Sequence, residues 1–172
     1  GINFKKKKNY IEIYGNGLNG FKLKKKNIIN ACNSGTLARL ILGVLVKAEE
    51  KIELIGDKSL SRRDFSRVTE PLKLFGVNFK SKNKTLPIKF YGTDFPRPIT
   101  YLEKRGSAQC KSAVMLAALN TPGKTKIKAK KSRDHTENFF KFLNVPINVK
   151  KKNQYDYIEI NGQKNYKGFK YT

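Results

Sequence analysis

Residues 107–120, SAQCKSAVMLAALN, constrain the fold more than any other stretch of the chain. Their composition favours a helix, and beyond Ser112 no polar side chain recurs at the spacing of a solvent face. A helix that is apolar all round has to be enclosed on every side. The chain has 172 residues, 38% of them hydrophobic, which is enough to build the core of one domain around such a helix.

An internal repeat shows what could enclose it. Three stretches share one pattern: GINFKKKKNYIEIYG (1–15), GVNFKSKNKTLPIKFYG (76–92) and NVPINVKKKNQYDYIEING (144–162). Each has a short apolar strand, a lysine-rich turn and an alternating strand such as Tyr10, Ile11, Glu12 and Ile13, closing on glycine. Period-two alternation bounded by turn residues is the signature of a hairpin with one wet face. The segments before the second and third hairpins also match. NIINA (27–31), SGTLARLILGVLVK (34–47), KIELIGD (51–57) and SRRDFSRVTEPLKLFG (61–76) read as strand, apolar helix, strand and amphipathic helix. PITYLEK (98–104), residues 107–120, KTKIKAK (124–130) and SRDHTENFFKFLN (132–144) repeat that order.

The expected architecture is α/β, built of β-α-β-α-β-β repeats with buried helices and outward-facing mixed sheets. Residues 16–92 form one repeat and 93–162 the next. Residues 1–15 read as the end of a truncated first repeat, and 163–172 as the start of a linker resembling residues 15–25. The whole is expected to be one partial domain, a piece of a longer protein.

The formal charge of +24, from 37 Lys and Arg against 13 Asp and Glu, is compatible with nucleic acid, an anionic membrane or small anionic substrates as partners. The lysines are scattered through almost every turn rather than lining one helix, which reads as a solvated basic surface and speaks against nucleic acid. No window approaches the ~20 apolar residues of a membrane span, and no signal-peptide core opens the chain. Cys32 and Cys110 adjoin apolar runs and read as reduced, buried thiols of a cytoplasmic protein. No metal or cofactor is called for.

The arginines are few and better placed. A helix start presents unpaired N–H groups and a partial positive charge, a ready anion site. Ser34, Gly35 and Thr36 open one apolar helix, and Ser107, Ala108 and Gln109 open the other. The amphipathic helices are expected to start at Ser61-Arg62-Arg63-Asp64 and Ser132-Arg133-Asp134-His135. A lone serine there would be an ordinary N-cap. Four such starts, two with arginine at the same repeat position, point to a convergent anion site. Asp134 with Glu137 three residues on reads as a capping pair, and His135, the single histidine, as a supporting residue rather than a general base.

NSGTLARL, GDKSLSRRDFSRVTEPLKLFGV, GSAQCKSAVMLAALNTPGKTKI and SRDHTENFFKFL, in this order over residues 27–145, resemble the enolpyruvyl transferases, in the branch whose acceptor is shikimate 3-phosphate. The resemblance implies an inside-out α/β barrel of two globules, and transfer of the enolpyruvyl group of phosphoenolpyruvate to the 5-hydroxyl of shikimate 3-phosphate. It implies that Ser107, Ala108, Gln109, Ser132 and Arg133 bind shikimate 3-phosphate. It implies that Gly35, Thr36, Arg63 and Gln109 bind phosphoenolpyruvate or the herbicide glyphosate. Asn33 and Arg39 fall in the same motifs and are expected to be structural. Asp64 departs from the family, which usually has proline after the arginine, and places an acid beside Arg63.

The family's upstream Lys-Ser-x-Ser-x-Arg motif and its second globule, which carries catalytic Asp, Glu and Lys, have no counterpart in this chain. No catalytic residue is therefore assigned, and the chain alone is expected not to turn over, while the parent is expected to be monomeric. Related alternatives are an enolpyruvyl transferase with a nucleotide-sugar acceptor and an RNA-end cyclase, both of which leave SRDHTE unexplained. A basic nucleic-acid-binding module would account for the charge but not for the repeat.

Overall fold

The structure, a computed structural model, describes residues 2–18, 27–163 and 168–170. Much of the two linker stretches, residues 19–26, 164–167 and 171–172, lies outside the described residues. The first hairpin pairs β1 (Asn3–Lys6) with β2 (Ile11–Tyr14) in a two-stranded sheet of its own. The Lys7 N–H donates to the Tyr10 carbonyl at 2.8 Å and closes the lysine-rich turn.

The element order β-α-β-α-β-β then occurs twice. Its first occurrence is β3 (Ile28–Asn30), α1 (Gly35–Val44), β4 (Ile52–Ile55), α2 (Ser66–Leu74), β5 (Asn78–Ser81) and β6 (Ile88–Tyr91). The second is β7 (Thr100–Glu103), α3 (Ala108–Leu119), β8 (Gly123–Lys130), α4 (His135–Phe142), β9 (Ile147–Lys152) and β10 (Tyr155–Gly162). The sheets have equivalent orders, β3-β4-β6-β5 and β7-β8-β10-β9, each with one parallel pair followed by antiparallel ones. Strand alternation sets their outer faces: along β8, Thr125, Ile127 and Ala129 are buried while Lys124, Lys126, Lys128 and Lys130 are exposed.

The helices fill the inside. In α3, Cys110 through Met115, with Ala117 and Ala118, are buried, as a helix without a polar face requires. Its closest partner is α1, and the contact is made by backbone. A Cβ at Gly43 of α1 would overlap the carbonyl oxygen of Ala113 in α3, so only glycine lets the two helices approach this far. Beyond them, Asn120 Nδ2 donates to the Val44 carbonyl at 3.2 Å, which ties the end of α3 to the end of α1. Phe65, Phe75, Phe90, Leu42 and Met115 are fully buried around this pair, each such side chain stabilising the fold by about 1.5–3 kcal/mol. Among the described residues no helix is long and apolar enough to cross a membrane.

Three expectations are corrected. The amphipathic helices begin later than their patterns suggest, α2 at Ser66 instead of residue 61 and α4 at His135 instead of residue 132. In the first case the chain makes a short 3₁₀ turn over Leu60–Arg62. Phe65 then anchors in the core, with its N–H on the Lys84 carbonyl at 2.9 Å. Cys110 is buried but Cys32 is exposed, because the backbone turns through φ +48° at Cys32 while its N–H bonds to Asn30 Oδ1 at 2.8 Å.

Gly43→Ala is expected to destabilise the chain by about 1–3 kcal/mol, because a methyl group there must push one helix backbone off the other. Denaturant unfolding of the two proteins measures this, and an unchanged midpoint would contradict the proposed α1–α3 contact.

Candidate anion-binding site

The start of α3 is set by the residue that ends β7. The buried Glu103 carboxylate accepts the N–H groups of Arg105 at 3.0 Å and Gly106 at 2.6 Å. With Gly106 at φ +71°, this folds a tight turn that delivers Ser107 as the N-cap. Ser107 Oγ accepts the Cys110 N–H at 3.3 Å and its hydroxyl proton remains available for donation. The N–H groups of Ala108 and Gln109 have no partner within the helix. Burial raises the Cys110 thiol pKa, so this cysteine packs against the helix start as a neutral side chain.

The start of α1 lies beside it. Ser34 Oγ accepts the Leu37 N–H at 3.1 Å, and Gln109 Nε2 donates to Thr36 Oγ1 at 2.8 Å, linking the first turns of the two helices. Arg39 Nη1 donates back to the Gly35 carbonyl at 3.0 Å while its guanidinium lies 5.0 Å from the Phe65 ring centroid. Burial lowers the Arg39 pKa, and the nearby cations Arg63 and Arg67 add to that lowering.

Arg63 reaches the same turn. A Cβ at Gly35 would stand 2.8 Å from Arg39 Nη1 and 3.0 Å from Arg63 Nη1. What carries Arg63 there is the Asp57 carboxylate, which accepts the Leu60 N–H at 2.7 Å and the Asn33 side-chain amide. These bonds, that from Asn33 first, hold the Asp57 carboxyl below its usual range. Asp64 does not engage Arg63. Its carboxylate accepts the Ser66 N–H at 2.6 Å and is held below the usual range by that residue.

Across α3, a groove of about 200 Å³ is lined by Thr36, Ala108, Gln109, Ser112, Arg133 and His135, among others. Arg133 is exposed, whereas the neighbouring Ser132 Oγ is buried with no hydrogen-bond partner in the protein. The expected capping pair is not formed. Asp134 occupies the N-cap of α4 but makes no capping bond; its carboxylate takes Lys151 Nζ at 3.0 Å, which lowers its pKa. Glu137 turns inward to Lys111 instead.

The structure thus brings Gly35, Thr36, Arg63, Gln109, Ala108 and Arg133 into one succession across the starts of α1 and α3, with Ser107 at the N-cap and the buried Ser132 hydroxyl on the residue before Arg133. Arg39, expected to be structural, does bond within the chain, and it joins this cluster because a long side chain four residues after a helix start points back over the first turn. The sequence reading missed Lys111, which the pattern gives no means of pairing with Glu137. Among the described residues no group of three or more His, Cys, Asp or Glu side chains is placed to hold a metal ion.

Enclosed helices, outward-facing sheets of repeated topology and paired helix starts lined with arginine define an inside-out α/β fold of the enolpyruvyl transferase type. The family model for EPSP synthase (3-phosphoshikimate 1-carboxyvinyltransferase) matches residues 1–172, and the chain belongs to that family. A 3-phosphoshikimate 1-carboxyvinyltransferase of Paracoccus denitrificans is 44% identical over 127 residues, 73% of this chain and 28% of the relative. One from Roseobacter denitrificans is 38% identical over 160 residues, 92% of this chain and 35% of the relative. A solved EPSP synthase from Acinetobacter baumannii superposes with a TM-score of 0.86 at 31% identity, covering 98% of this chain and 38% of that one. The chain therefore spans about a third of the length of the relatives it matches.

In Gly35→Ala the new methyl would crowd the ends of two flexible side chains and otherwise make an ordinary contact with Leu60 Cδ1 at 3.7 Å, so unfolding is expected to stay within about 1 kcal/mol of the parent. The Arg39 and Arg63 guanidinium resonances are expected to shift, because each Nη1 must yield. NMR of the arginine side chains reads this directly, and unchanged resonances would contradict the placement of Arg63.

Proposed function

We propose that this chain supplies the shikimate 3-phosphate half-site of an enzyme that transfers the enolpyruvyl group of phosphoenolpyruvate to the acceptor's 5-hydroxyl. The observation that carries it is the convergence of two N-capped helix starts and the Ser132 and Arg133 segment on one groove, in a chain of this family. Arg133 offers a charge-assisted and directional contact to a phosphate. The Ser107 hydroxyl and the buried, unpartnered Ser132 hydroxyl supply two more donors, and a buried donor without a partner is costly unless something fills the role. The unpaired N–H groups of Ala108 and Gln109 face the same anion.

Gln109, held by Thr36, stands between this half-site and the Gly35, Thr36 and Arg63 cluster, which suits the smaller phosphoenolpyruvate dianion and the glyphosate that would compete with it. Every group named is a donor or a cation. Enolpyruvyl transfer through a tetrahedral adduct also needs an acid and a base on the far side of the acceptor. The chain therefore acts as one face of a site whose other face belongs to the rest of the parent protein, a cytoplasmic and monomeric enzyme that uses no cofactor. Residues 16–92 and 93–162 serve as two of its repeats, and 1–15 as the closing hairpin of the repeat before.

Amide NMR titration of the chain with shikimate 3-phosphate, against inorganic phosphate at equal ionic strength, tests this. Saturable shifts are expected at residues 107–111 and 132–135 and not with phosphate, with Arg133→Ala weakening binding about tenfold or more. Diffuse shifts that phosphate reproduces would contradict the half-site.

A further inference from the structure

Lys111 and Glu137 are the pair of charges that the proposed binding chemistry leaves unused. Lys111 Nζ and Glu137 Oε1 lie 2.5 Å apart, with side chains 0% and 3% exposed. One residue along each helix, Ser112 Oγ and Thr136 Oγ1 are 2.6 Å apart. Together the two contacts join the first turns of α3 and α4 in register. Residue 111 lies one turn into α3 from the Ser107 N-cap, and residue 137 is the third residue of α4, whose first turn follows Ser132 and Arg133.

A buried ion pair is poor evidence for stability, since two apolar side chains of similar volume often do as well. What apolar packing does not supply is a penalty for separation: Lys111 Nζ and the Glu137 carboxylate have no hydrogen-bond partner among the described residues, so moving α4 off α3 leaves each charge buried and alone, and the Ser112–Thr136 hydrogen bond beside them adds direction. That displacement is the one that would move Arg133 relative to Ser107 and Gln109. One more contact holds the start of α4: Asp134, at its N-cap, takes Lys151 of β9 at 3.0 Å.

We propose that the Lys111–Glu137 ion pair, with Ser112–Thr136 beside it, is a positioning clamp that presets the separation between the Ser132 and Arg133 segment and the start of α3. This rests on the half-site reading above for its consequence to ligand binding, though not for its geometry. Neither charge touches the anion. They act through the residues that do.

The test compares the chain with K111M/E137M, which removes both charges at nearly constant volume, and with Ser112→Ala, which removes only the hydroxyl contact. Two readouts are taken: amide hydrogen exchange without ligand at residues 138–143, whose N–H groups are bonded within α4, and shikimate 3-phosphate titration. K111M/E137M is expected to keep the unfolding midpoint and the slow exchange of α3, yet to exchange about tenfold faster at residues 138–143 and bind about tenfold more weakly. Ser112→Ala is expected to move both readouts in the same direction by a smaller factor, and it carries the test if the double variant does not fold. The pair K111R/E137D, which conserves charge and summed length, is expected to restore both readouts. Unchanged exchange at residues 138–143 in K111M/E137M, or in Ser112→Ala if that variant carries the test, would overturn the clamp. If the parent chain itself bound no shikimate 3-phosphate, the half-site reading would fail, and exchange alone would still decide the clamp.

Discussion

The backbone contact between α1 and α3 is the constraint on which the rest of the structure depends. Gly43 has no side chain to hold the helices apart, so α1 comes to rest against the Ala113 carbonyl, and the two sheets close over the pair from outside. An apolar helix in a very basic chain is accommodated because each sheet turns its lysines outward and its small and aliphatic residues inward. Since the two helices run from equivalent positions in equivalent units, their starts fall side by side, and Gln109 and Thr36 can meet.

With the helix starts adjacent, the connections complete the site. In both units the arginine sits on the segment just before the second helix rather than on the helix itself. Asp57 steers Arg63 through the Leu60 N–H and the Asn33 amide. In the other unit, the Lys111–Glu137 and Ser112–Thr136 contacts hold the helix that follows Arg133. One unit therefore uses a loop carboxylate and the other a buried ion pair to solve the same placement problem.

Much of this was legible in the sequence, because it depends on local chemistry and period. The missing polar face of residues 107–120 demanded enclosure, the alternation in KTKIKAK gave a one-sided strand, and Ser34 and Ser107 before apolar runs marked the two capped starts. The helix starts at 61 and 132 were misread because Arg62, Arg63 and Arg133 fit a helical pattern. Tertiary contacts decided otherwise, with Phe65 anchored in the core and the Asp64 carboxylate turned to the Ser66 N–H. Glu137 resembled a capping residue at the right spacing; its pairing with Lys111, 26 positions away in sequence, is set only when α3 and α4 meet. Cys32 adjoined an apolar run, yet a left-handed turn, invisible to composition, put it outside.

Native-state hydrogen exchange along α1 and α3 tests the central claim most directly. The account predicts that amides of residues 38–43 and 113–118 exchange slowest and together, as one cooperative unit, while those of the separate β1–β2 hairpin exchange far faster. Exchange of α3 as fast as that hairpin, or independent of α1, would contradict it.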